Sequence, residues 1–151
     1  MSGISQGKAF GSASTLVAQM GILLGMLTSN QPQSALIVAS AASAISGSFG
    51  DSFSIYVSET AAKREAPIIA ATSVLITKLV IGAVYVLLFV IFGKSHYILP
   101  MATLLTLSLL YYLSTMTNDT DVNKTFLQYV VLTVLVVCLT SFFGFAIRGS
   151  F

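Results

Sequence analysis

The chain has 151 residues, 56% of them hydrophobic and 8% charged, with seven basic and five acidic side chains and a formal net charge of +2; its mean hydropathy is +0.92. A soluble domain is roughly 25% charged, and twelve charges would not cover the surface of one this size. Seven scattered basic groups leave no nucleic-acid footprint, and a single cysteine excludes an internal disulfide, so the composition predicts an all-α bundle of membrane-crossing helices in one domain spanning residues 1–151.

The start, Met1 to Ser14, is polar and glycine-rich rather than basic and then apolar, so the first apolar segment is expected to stay in the membrane as a span. From Lys8 to Asp51 no charged residue intervenes over 42 positions, too long for one crossing. The turn-forming run Thr28-Ser29-Asn30-Gln31-Pro32-Gln33-Ser34 divides it. The first span is predicted over about 10–27 and the second over about 34–57. A hydrophilic connector, Ser58 to Glu65, leads to a third span over about 67–92, apolar except for Lys78. The linker Gly93-Lys94-Ser95-His96-Tyr97 precedes a fourth over about 98–115, and the polar loop Asn118 to Lys124 a fifth over about 126–147. Pro32, Pro67 and Pro100 lie just before or in the first turn of a predicted span, where a missing N–H is tolerated. The segments are too long and too continuously apolar for the strands of a membrane barrel. Cys138, in the apolar run of the fifth span, is expected to be a small packed hydrophobe. Tyr97, Tyr111, Tyr112, Phe126 and Tyr129 cluster near span ends, as interfacial anchors do.

With the N-terminus in the cytosol, Lys8, Lys63, Arg64 and Lys124 face that side, while Lys94 and Arg148 face the other. The excess of basic residues favours this orientation, with the C-terminus opposite. The triplets Asn118-Asp119-Thr120 and Asn123-Lys124-Thr125 fit the glycosylation pattern but are then cytosolic and unmodified.

The second span carries the unusual pattern. Ala35, Ala39, Ser43, Gly47 and Asp51 recur every four residues and form a small-residue stripe, with Ser40, Ala44, Ser48 and Ser52 beside it. Such stripes let helix backbones approach closely in lipid, and Gly21 and Gly25 give the first span a matching contact. Asp51 lies about 9 Å inside the membrane if the span ends near Val57, at 1.5 Å per residue. A charge there costs on the order of 3 kcal/mol and belongs on the bundle interior or in a wet cavity. Ser54, Ser58 and Glu59 follow at steps of three, seven and eight, so a ladder of oxygens is expected to lead from Asp51 to the cytosolic surface. Oxygen donors with one or two carboxylates suit a divalent cation. Asp51 and Glu59 are therefore the candidate metal or proton groups, with Ser54, Ser58, Gln19 and Met20 as weaker contributors. Lys78, the other intramembrane charge, either snorkels to the nearer interface or pairs with Asp51. No phosphate-cradling glycine loop, His-Glu metal motif or serine elbow occurs, and no enzyme activity or resident cofactor is expected.

The stretch Ser46-Gly47-Ser48-Phe49-Gly50-Asp51-Ser52-Phe53-Ser54-Ile55-Tyr56-Val57-Ser58-Glu59 resembles the second-helix signature of the vacuolar iron transporter family, in which a small-residue helix with an acidic residue runs into a Tyr-x-Ser segment at the cytosolic edge. The resemblance implies export of Fe²⁺ or Mn²⁺ from the cytosol in exchange for protons, by a homodimer whose pathway lies between subunits. Asp51 and Glu59 match positions that carry metal or protons; Tyr56 and Ser58 match the signature without an assigned role. The chain departs from the family in three places. Phe10-Gly11 stands where members have Asp-Gly, the second-helix pathway methionine is absent, and a short connector replaces the cytosolic metal-binding insertion. The rival expectation is a structural or accessory membrane subunit, whose stripes bind partner helices and whose Asp51 neutralises Lys78.

Overall fold

The computed structural model describes residues 3–93, 95–116 and 121–148, with side chains from Gly11 onward apart from Met116. Lys94 and the first glycosylation-type triplet, with Asn118, lie outside the described residues. Five helices follow in order: α1 (Gly3–Thr28), α2 (Gln33–Ala61), α3 (Pro67–Phe92), α4 (Ile98–Met116) and α5 (Val122–Arg148). The chain is an all-α helical bundle. Pro67 occupies the first turn of α3, where its fixed φ suits the helix and its absent N–H is not needed. Asn30 and Lys63, at the α1–α2 and α2–α3 turns, take positive φ of 56° and 53°.

Windows in α1, α3, α4 and α5 are long and apolar enough to cross a membrane, at Gly11–Thr28, Pro67–Phe92, Ile98–Thr115 and Val122–Arg148. The protein therefore has the character of an integral membrane protein. The expected second span differs. α2 is 29 residues long, the longest of the five, and runs past Val57 to Ala61, yet it is the helix without such a window among the described residues. Eight of its residues are serine, and Asp51 and Glu59 add two carboxylates. Its inclusion in the bundle thus depends on neighbouring helices more than on affinity for lipid.

α1 occupies the centre and touches every other helix, with α2 and α3 on one flank and α4 and α5 on the other. Leu16, Met20 and Leu23 of α1 join Leu36, Tyr85, Phe89, Ile98, Ala102, Leu110 and Leu113 in the buried apolar core. Polar side chains inside the bundle are matched to one another. Ser40 donates to Gln19 Oε1 at 2.5 Å while Gln19 Nε2 donates to the Ser40 carbonyl at 3.2 Å, tying α1 to α2. The Tyr85 and Thr106 hydroxyls meet at 2.5 Å between α3 and α4. Gln33 reaches from the start of α2 to the Phe89 carbonyl at 3.1 Å, a second donor to an acceptor that also takes the Gly93 N–H, and ties α2 to the end of α3. Cys138, expected to be packed, is instead exposed, because α5 buries little of itself and turns most of its apolar surface outward.

Small residues set the closest approaches. A Cβ at Gly82 would overlap that of Ala44, and one at Gly144 would overlap Thr28 Oγ1 and the Gly25 carbonyl. Gly82→Ala is therefore expected to push α2 from α3 and lower the melting temperature in detergent, and Ala44→Gly in the same chain is expected to restore much of it. A Gly82→Ala variant that melts like the parent would show that the two backbones are not in contact there.

Candidate functional site

The charged pair at membrane depth is built from one face of each of α1, α2 and α3. Lys78 lies eleven residues into α3, and Asp51 lies ten residues before the end of α2. At 1.5 Å per residue both are about 15 Å from the α2–α3 connection, and Lys78 falls near the middle of the apolar Pro67–Phe92 window of α3. A long ammonium side chain fits between three packed helices only where its neighbours are small. A Cβ at Gly11 would lie 3.3 Å from Lys78 Cγ and 3.2 Å from the Val74 carbonyl, and one at Gly47 would lie 3.5 Å from Nζ. The two glycines thus form the walls of the trough that holds the lysine.

Inside that trough Lys78 Nζ donates to Asp51 Oδ2 at 2.5 Å and to Ser14 Oγ at 3.1 Å. Ser14 Oγ in turn donates to Asp51 Oδ2 at 3.3 Å, closing a triangle across three helices. The exposure is asymmetric: the Lys78 side chain is 7% exposed and that of Asp51 is 32% exposed. Among the described residues only Oδ2 of Asp51 is engaged. One side of the carboxylate is fixed by the ammonium, and the other borders the open side of α2. The next residue on α2, Ser52, donates to the Ala71 carbonyl at 2.8 Å and holds α2 against α3.

Glu59 is not part of this cluster. It lies eight residues beyond Asp51 on the same helix, a rise of about 12 Å, whereas oxygen ligands of one divalent ion lie about 2.0–2.6 Å from it. No single ion can touch both carboxylates on α2. Glu59 is instead buried at the helix end and pairs with Arg64 Nη1 at 3.3 Å.

The expected ladder of oxygens also does not form. Ser54 and Ser58 are exposed, and their hydroxyls donate to the Gly50 and Ile55 carbonyls of their own helix. At about 100° per residue, Ser54 and Ser58 fall roughly 60° and 20° to one side of Asp51 and Glu59 roughly 80° to the other. Because Asp51 already borders the open side, the serines turn outward and the glutamate inward. Gln19 gives its amide to Ser40, eleven residues before Asp51 on α2, and Met20 lies in the apolar core. Neither is brought to Asp51. Among the described residues no three His, Cys, Asp or Glu side chains gather as a metal-binding group. Ser14 was not a sequence candidate; Gly11 and Ser14, three residues apart, are the small pair that marks this helix face as able to admit a long neighbour.

Comparison of the chain with protein-family models, with curated proteins and with solved structures finds no match.

Substituting one partner of the pair leaves the other charge alone at depth. Lys78→Met and Asp51→Asn are each expected to lower stability in detergent, on the order of the 3–5 kcal/mol seen when a buried pair is broken. The double variant carries neither charge and is expected to recover most of that loss, read from thermal loss of helical circular dichroism. Single variants as stable as the parent would mean that the pair does not hold the three helices.

Proposed function

We propose that the protein is a membrane carrier for a divalent cation, Fe²⁺ or Mn²⁺, exchanged for protons, with Asp51 as the exchanging carboxylate. The observation that supports this most directly is the asymmetry of Asp51, half enclosed by Lys78 and Ser14 and half open, at mid-depth in a bundle of apolar helices. An ionisable side chain at that depth carries a large desolvation cost and is characteristic of ion and proton pathways. The Lys78 ammonium neutralises Asp51 when no cargo is bound. A cation arriving from the open side competes for the same carboxylate, and Ser14 Oγ, within hydrogen-bond distance of both charges, offers a second oxygen.

One carboxylate and one hydroxyl are a small fraction of the six or more oxygens that a divalent ion takes. Water or a second copy of the chain completes the shell, in keeping with the homodimer that the iron transporter resemblance implies. The N-terminus is cytosolic in this scheme, which puts the Glu59–Arg64 pair on the side from which cargo arrives.

A second reading has its own support. Asp51 and Lys78 satisfy each other within the bundle, as expected of an accessory subunit that holds partner helices and moves no ion. The two readings separate in proteoliposomes loaded with a pH-sensitive dye and offered Fe²⁺ or Mn²⁺. Metal entry coupled to proton exit in the parent, and absent from a folded Asp51→Asn, Lys78→Met double variant, is the expected result. No flux from folded parent protein at any imposed proton gradient would exclude the carrier and leave the accessory subunit.

A further inference from the structure

α1 and α5 run parallel and cross where Gly21 and Gly25 meet Thr140 and Gly144. A Cβ at Gly21 would lie 3.3 Å from Thr140 Cγ2, and one at Gly144 would overlap the Gly25 carbonyl. Beside this crossing lies an apolar cleft of about 530 Å³, which extends along α1 from Ala18 to Ser29 and is walled on α5 by Val136, Phe143 and Ile147. Its far end opens into a polar mouth of about 370 Å³, where Ser29, Asn30 and Gln31 of the α1–α2 turn face Arg148. The two spaces share Ser29, Gln31 and Ile147 and are therefore continuous.

We propose that this cleft is a binding site for one anionic glycerophospholipid, with an acyl chain between α1 and α5 and the phosphate at Arg148. Three observations converge on that occupant. From Ala18 to Ser29 the cleft is about 16 Å long at the helical rise, close to half of a hydrocarbon core roughly 30 Å thick, so it matches the depth of one leaflet. Its lining is apolar on both helices, with Ala18, Ile22 and Met26 on α1 facing Val136, Phe143 and Ile147 on α5, so what lies along it is hydrocarbon. The mouth then supplies the headgroup chemistry. Arg148 is the basic residue in the last turn of α5, and its planar guanidinium matches phosphate geometry with paired donors. The side-chain amides of Asn30 and Gln31 add donors beside it. A neutral headgroup gains nothing from the arginine, which gives the site its selectivity. Nothing in this site depends on whether Asp51 carries cargo.

The chain contains no tryptophan, so a single introduced one reports on its own surroundings. Phe143→Trp puts the reporter on the cleft wall, and Leu104→Trp puts a control on the exposed face of α4. Each variant is reconstituted in phosphatidylcholine vesicles containing increasing fractions of acyl-brominated phosphatidylglycerol or of acyl-brominated phosphatidylcholine at low salt. The expected result is half-quenching of the Phe143→Trp reporter at about fivefold less brominated phosphatidylglycerol than brominated phosphatidylcholine, the scale set by one arginine at a membrane surface. The Leu104→Trp control is expected to show no such difference. Adding Arg148→Gln, an exposed position whose change leaves the bundle interior untouched, is expected to abolish the preference. Equal quenching by both lipids at Phe143→Trp, a preference that survives Arg148→Gln, or no quenching by either lipid would each overturn the proposal. The last of these would mean that protein fills the cleft.

Discussion

An ammonium group packed among apolar helices has to be neutralised by the protein, because the surrounding hydrocarbon cannot do it. Lys78 meets that requirement through Asp51 and Ser14, and much of the local architecture follows from the need to bring these groups together. Three helices must approach closely enough for a lysine on one to reach a carboxylate on the second and a hydroxyl on the third. Close approach requires small residues at the crossings, which Gly11, Gly47, Ala44 and Gly82 provide. Bulkier residues would give better apolar burial at those positions, but they would separate the charges. Coulomb attraction weakens with distance, and an unpaired ion at this depth is far more costly than a lost methyl contact.

The same logic organises the rest of the interior at a lower level of charge. Gln19 with Ser40 and Tyr85 with Thr106 each join two helices through a matched donor and acceptor. In lipid such pairs add modestly to stability, but they fix the rotation of one helix against another, which dispersion contacts between leucines leave loosely specified. The apolar core around Leu16, Leu23, Tyr85 and Phe89 supplies packing, and the polar contacts supply register.

The helices were legible in the sequence because their boundaries are written in residues that lipid rejects. Charges and prolines mark the connections, and the ends of α3 and α4 lie within a residue or so of the expected limits. α2 extends further than expected because Ser58, Glu59 and Thr60 are polar yet still helical, and polarity alone does not distinguish a connector from a helix end that emerges from lipid. At the candidate site, the four-residue period of α2 indicated correctly which residues share a stripe. Period does not give phase relative to a neighbour. The rotation that turns Ser54 and Ser58 outward and Glu59 inward is set by how α2 meets α1 and α3, and that contact is distant in sequence. For the same reason Gln19 read as a free polar ligand, although Ser40 holds it, and Ser14, which bridges the pair, was no candidate.

The modest hydropathy of α2 bears on how the chain enters the membrane during synthesis. A segment rich in serine, with a carboxylate about two thirds of the way along it, partitions weakly from the translocation channel into lipid when it is alone. Its counter-ion lies on the next helix to be translated, and that helix, strongly apolar except for one lysine, has the converse defect. Inserted as a hairpin, the two segments cancel each other's charge before either is fully exposed to acyl chains. The short connector from Ala62 to Ala66 keeps them adjacent as they leave the ribosome. Lengthening it would delay their meeting, so the short loop serves biogenesis as well as the Glu59–Arg64 pair of the folded state.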